Sequence, residues 1–109
     1  MPLDNSDNPL AVEIRQESAA AYFAACKKMV DSLEALKAFD RAAALSPHDQ
    51  KQITRRSNLF EDAVERVHSV VIQREAMKLL GYERFFEHYG VPPEVRARLG
   101  SQRKHHGPL

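Results

Sequence analysis

The sequence predicts an all-α protein: a long antiparallel helical hairpin followed by two short helices. Two long segments repeat apolar residues at helical spacing, and the break between them is Ser46-Pro47-His48-Asp49. In this break Ser46 can cap a helix, Pro47 suits a first helical position, and Asp49 lies three residues after the cap. The composition agrees, because 43% of the 109 residues are hydrophobic and only 4 are glycine, which fits one helical domain.

The first helix is predicted over residues 9–45, with Asn8 as its N-cap. Its apolar residues, among them Met29, Leu33 and Leu36, recur in steps of three and four, which is typical of helices that pack along a seam. The alanine-rich stretch 19–25 marks a slim section that another helix could approach closely.

The second helix is predicted over residues 47–80 and ends at Gly81. Phe60 and Val64 belong to its seam, and the segment from Val70 onward is apolar on several sides, which places the centre of the core there. Folding the chain back at residues 46–47 brings Leu33 opposite Phe60 and Met29 opposite Val64, so apolar residues meet. A basic cluster near the turn is expected to be a solvated helix end, and its members are Arg41, Lys51, Arg55 and Arg56.

Two short helices are predicted over residues 82–89 and 92–99, separated by Gly90 and by Pro92-Pro93. Gly100 is expected to end the second one, which completes a single domain over residues 1–100. Residues 101–109 have no periodicity and are predicted to be a disordered basic tail.

The short helices are expected to pack on the open end of the hairpin, which leaves its other half without cover. A soluble protein rarely exposes an apolar stripe of that length. We therefore expect two hairpins to assemble into a dimeric helical bundle. The side chains assigned to that interface are Met29, Leu33, Leu36, Phe60 and Val64.

The segment from Phe85 to Val91, followed by Val95, Arg96 and Leu99, resembles the second and third helices of bacterial helix-turn-helix proteins. The resemblance implies that Arg96 and Arg98 lie at the DNA and that Lys104 contacts a phosphate. Arg103 belongs to the same basic terminus.

The segment departs from the helix-turn-helix pattern in two ways. Phe86 stands where a small residue is usual, and Val95 comes one residue early. The other interpretation is that the two short helices cap the hairpin with their aromatic rings in the core. Because Arg96 and Arg98 diverge by about 200° on a helix, we expect any DNA binding to be weak and non-specific.

No motif in the sequence assembles a catalytic set, so we expect no enzyme, no cofactor and no metal. Glu65 and His68 have the Glu-x-x-His spacing of di-iron bundles, but a second copy of that motif is missing. No apolar run is long enough for a membrane span. The single cysteine excludes an internal disulfide and predicts a cytoplasmic protein.

The function predicted first is that of a non-enzymatic helical interaction protein, an adaptor, chaperone-like or regulatory factor. Its partners would be a second copy of itself and another protein. The alternative is a DNA-binding transcriptional regulator with a degenerate helix-turn-helix at residues 82–99. A net charge of only +1 provides no overall field that would attract nucleic acid or a membrane.

Overall fold

The computed structural model describes residues 9–44, 49–79 and 81–106, and it describes the side chains of residues 16–44, 49–79 and 81–100. Within these ranges the chain is all-helical, with four helices and no strand, as the sequence predicts. The helices are α1 (Pro9–Ala43), α2 (Gln50–Ala76), α3 (Tyr82–Tyr89) and α4 (Pro93–His106). At 1.5 Å per residue, α1 is roughly 50 Å long.

Helix α2 begins and ends differently from the prediction. Its N-cap is Asp49, whose side chain accepts a hydrogen bond of 2.8 Å from the backbone N–H of Gln52, so the helix starts at Gln50. At the other end Lys78 has a left-handed backbone with φ 59°, and the N–H of Leu79 donates to the Arg74 carbonyl at 2.8 Å. This Schellman-type arrangement ends the helix before Gly81 is reached.

Some of the predicted boundaries cannot be compared with the structure. The predicted cap Ser46, the first helical residue Pro47 and the predicted last residue Leu80 lie outside the described residues. The end of the first helix also differs, because α1 stops at Ala43 and Ala44 is in a turn.

The turn between α3 and α4 depends on Gly90, which has φ 61°. The N–H of Val91 donates back to the Phe86 carbonyl at 2.9 Å, and Pro92 then accepts the first bond of α4, from the N–H of Val95 at 3.0 Å. A Cβ atom at Gly90 would come within 3.0 Å of the Lys37 side-chain nitrogen, and its backbone conformation would be strained.

Helix α4 continues through Gly100 to His106. The prediction that residues 101–109 are disordered is therefore wrong for residues 101–106, while residues 107–109 lie outside the described part of the chain. A single glycine inside a helix costs only about 1 kcal/mol relative to alanine, so Gly100 does not have to end it.

Polar contacts between α1 and α2 occur in opposite order along the two helices. Arg74 donates to the Tyr22 hydroxyl at 3.0 Å, Ser32 donates to Asp62, and Arg56 donates to Asp40 at 2.9 Å. The apolar core lies along the same line. Its most deeply buried members on α1 and α2 are Met29, Leu33, Leu36, Val64, Val67 and Val70.

Helix α4 lies beside the first half of α2 and covers part of this core. Val95 and Leu99 are buried in the same cluster as the α2 valines. At the surface Glu94 pairs with Arg56 at 3.3 Å, and Arg98 pairs with Glu61 at 3.2 Å. The expectation that this part of α1 and α2 has no third element to cover it is therefore wrong, because the Gly90 turn directs α4 along α2.

Replacing Leu99 with alanine tests whether α4 is part of the core. Leu99→Ala should lower the free energy of unfolding by about 2–5 kcal/mol, because the leucine is buried against the core. Urea denaturation measures the loss, and Leu79→Ala is the control because Leu79 is 39% exposed. Equal, small losses in both variants would contradict the packing of α4.

Single substitutions distinguish the observed N-cap of α2, Asp49, from the cap predicted from the sequence, Ser46. Asp49→Ala should lower the free energy of unfolding by about 1 kcal/mol, because it removes the acceptor for the Gln52 N–H. Ser46→Ala should change it much less. A larger loss for Ser46→Ala, measured in the same thermal or urea denaturation series, would support the cap predicted from the sequence instead.

Candidate functional site

Most of the residues predicted to form a dimer interface are buried in the core of this single chain. Met29, Leu33, Leu36 and Val64 are at most 2% exposed. Phe60 is half-buried, with the Arg56 guanidinium 6.0 Å from its ring centroid. A second chain could reach the four buried residues only after helices of this chain moved apart. Their assignment to a dimer interface stays a prediction.

The arginines that the helix-turn-helix resemblance places at DNA are held by their own chain. Arg96 donates from Nε to the Val91 carbonyl at 3.0 Å, and its guanidinium lies 5.3 Å from the centroid of the Phe86 ring. Arg98 pairs with Glu61 on α2. Either arginine would give up these contacts to bind a phosphate or a base.

The other residues of that prediction are placed only in part. Arg103 and Lys104 belong to α4, but their side chains lie outside the described part of the structure. Phe85 is buried in the core, as the interpretation of a capped hairpin expects, whereas Phe86 is half-buried under Arg96.

The surface between α1 and α2 contains two recesses to which neither α3 nor α4 contributes a lining residue. We call this surface the α1–α2 groove. The tip recess, near the connection between the helices, has a volume of about 600 Å³. Its main lining residues are Ala35, Ala38, Phe39, Ala42, Lys51, Gln52, Arg55 and Leu59. The middle recess has a volume of about 300 Å³. It is lined by Ala21, Ala24, Ala25, Lys28, Arg66, Ser69 and Gln73.

The groove follows from a second helical spacing beside the core seam. On α2, residues 52, 55, 59, 62, 66, 69 and 73 recur in steps of three and four and therefore share one face. On α1 the corresponding positions are occupied mainly by alanine, so the space between the two helices is left open. Ser32 donates to Asp62 between the two recesses, and Arg66 pairs with Asp62 at 3.6 Å.

The rim of the groove is basic. Among the described residues, Lys28, Lys51 and Arg55 have no carboxylate within ion-pair distance. The nearest acidic side chain of the tip recess, Asp49, is engaged as the N-cap of α2. The side-chain oxygen of Gln52 is buried and accepts no hydrogen bond from any described residue.

The sequence indicates only one part of this groove. The alanine-rich stretch 19–25 correctly marks a slim section of α1, which forms the middle recess. The tip recess was missed because its basic residues, Lys51 and Arg55, look like an ordinary solvated helix end. Only the structure shows that they stand beside Ala35 and Phe39 of the other helix.

The described residues contain no group of three or more His, Cys, Asp or Glu side chains that could hold a metal ion. None of the described helices combines the length and the hydropathy that a bilayer crossing requires. Comparison of the chain with known protein families, curated proteins and solved structures gives no significant match. A proposal for the function therefore depends on the geometry of the described residues.

Because Arg96 and Arg98 already have partners within their own chain, we can predict how the protein binds DNA. Binding to duplex DNA should be weak, independent of sequence and largely lost by about 200 mM salt, because few phosphates would be neutralised per chain. Fluorescence anisotropy with labelled duplexes across a salt series measures this. Sequence-specific binding that persists at that salt and is abolished by Arg96→Ala would contradict it and favour the regulator.

Proposed function

We propose that this chain is a non-enzymatic helical interaction protein in which α1 and α2 form a long antiparallel hairpin. Its binding site is the α1–α2 groove, and the ligand is one amphipathic helix of another protein, with acidic residues beside a seam of apolar ones. The observation that supports this most directly is an alanine-lined groove with a basic rim, where Lys28, Lys51 and Arg55 have no ion-pair partner among the described residues.

The shape of the groove supports a helix as the ligand. From Ala21 to Ala42 the groove extends for about 30 Å, the length of a helix of about 20 residues. Small side chains on α1 allow a third helix backbone to approach closely, and the three-and-four spacing on both walls suits ridges-into-grooves packing. A helix covering both recesses would bury on the order of 1,000 Å² in total, which is enough for a specific complex.

The charge of the rim supports an acidic ligand rather than a second copy of this chain. Two copies that met groove to groove would bring Lys28, Lys51 and Arg55 of both chains to one interface, where like charges oppose association. Acidic residues on the ligand would instead pair with these cations. The homodimer predicted from the sequence stays a prediction, and the following experiment includes it as an outcome.

Site-specific photo-crosslinking of the full chain in its native host tests the proposal. A photoreactive amino acid replaces Ala35, which lines the tip recess, and in a matched control it replaces Ala20, which is exposed on α1 outside the groove. Mass spectrometry then identifies the crosslinked peptide. We expect position 35 to crosslink to an acidic amphipathic segment of one other protein, and position 20 to give no such product.

A charge reversal makes the same experiment quantitative. Arg55→Glu should reduce the yield of the position-35 product by about threefold to tenfold, because a rim ion pair is replaced by repulsion. Lys27→Glu, an exposed change on α1 outside the groove, should leave it unchanged. Crosslinking to a second copy of the chain would replace this proposal with the homodimer. Products that do not differ between positions 35 and 20 would contradict both.

A further inference from the structure

A third recess, separate from the α1–α2 groove, lies where α1, α2 and α3 meet. It has a volume of about 400 Å³ and is lined by Tyr22, Arg74, Gly81 and one face of α3. That volume lies within the range of pockets that hold small organic ligands. The sequence gives no indication of this site, because Tyr22 lies 52 residues before Arg74 in the chain.

The recess brings together two arginines and a histidine. Arg74, Arg84 and His88 line it, and none of its lining residues in the described part of the chain is Asp or Glu. Arg74 is held in place, since its Nη1 donates to the Tyr22 hydroxyl at 3.0 Å and its guanidinium lies 4.8 Å from the centroid of the Phe85 ring. Arg84 and His88 are exposed at the rim and can adjust to a ligand.

Two phenols and an aromatic wall complete the recess. The Tyr22 oxygen accepts from Arg74, which leaves its own proton available for another acceptor. Burial raises the pKa of the Tyr89 phenol, and a hydrogen bond with the Cys26 thiol raises it further, so this ring stays neutral. The rings of Phe85 and Tyr89 meet edge to face with centroids 5.2 Å apart.

We propose that this recess binds a small oxyanion, a phosphate or a carboxylate group, attached to a planar organic body. Arg74, Arg84 and His88 provide donors for the oxygens, with charge-assisted hydrogen bonds from the guanidinium groups. The aromatic wall provides contact area for the planar part. This site does not depend on the α1–α2 groove, so each of the two proposals can fail without the other.

Isothermal titration calorimetry at constant ionic strength tests the proposal with phenyl phosphate, benzoate, inorganic phosphate and uncharged phenol. We expect saturable binding of one equivalent of phenyl phosphate or benzoate, weaker binding of inorganic phosphate, and none of phenol. A preference between phenyl phosphate and benzoate identifies the anion. Heat changes that do not saturate, or that phenol reproduces, would overturn the proposal.

Two single substitutions connect the binding to the recess. Arg84→Gln should weaken binding at least tenfold, because it removes a rim cation that is exposed and has no structural partner in the described ion pairs. Arg41→Gln is the matched control, an exposed arginine on α1 outside the recess and without an ion pair among the described residues, and it should leave the affinity unchanged. Equal affinities in the two variants would show that the ligand binds elsewhere and would overturn the proposal.

Discussion

The apolar surface of α2 must be covered on more than one side, and the arrangement of the other helices follows from this. Val64, Val67, Val70 and Val71 extend around the helix too widely for one neighbouring helix to bury them all. Helix α1 covers one side. Helix α4 returns along α2 and covers another side, which explains why Val95 and Leu99 belong to the same core.

Burial of apolar side chains, rather than surface charge, accounts for the position of α4. Fully burying one aliphatic side chain contributes about 1.5–3 kcal/mol, whereas an exposed ion pair contributes about 0–1 kcal/mol. The side chains of both ion pairs of α4, Arg56 with Glu94 and Arg98 with Glu61, are between 34% and 63% exposed. These ion pairs therefore affect the register of α4 on α2 more than they affect the stability of the packed helices. Arg56 serves α1 as well, since its hydrogen bond with Asp40 is the main cause of its raised pKa.

The features that the sequence predicts correctly are those set by local chemistry. The four helical segments and the turn at Gly90 follow from apolar spacing and from proline and glycine positions. The predicted start of α2 differs from the observed one because Ser46 and Asp49 are both residue types that cap helices well, and the sequence alone does not rank them. Its end was wrong because Lys78, a residue that rarely takes a left-handed backbone, does so here.

The dimer prediction shows a different limit of sequence analysis. Periodicity correctly identified Met29, Leu33, Leu36 and Val64 as buried, but it does not say what buries them. A second chain and a returning α4 predict the same apolar stripe. The direction of the chain after Gly90 places α4 on this stripe, and it depends on contacts between residues far apart in the sequence, while the dimer stays a prediction. The same reason explains why the recess around Arg74 was missed.

The many alanines of α1 can be explained either by helix propensity or by the space that a bound helix needs. Alanine is the strongest helix former, so the composition of α1 alone could reflect helix propensity rather than binding. Propensity, however, applies equally to every side of a helix and says nothing about α2. It does not account for Lys51 and Arg55, which line the tip recess without carboxylate partners among the described residues. A ligand that brings negative charge to the tip recess accounts for these two cations, and the small side chains of α1 give it room.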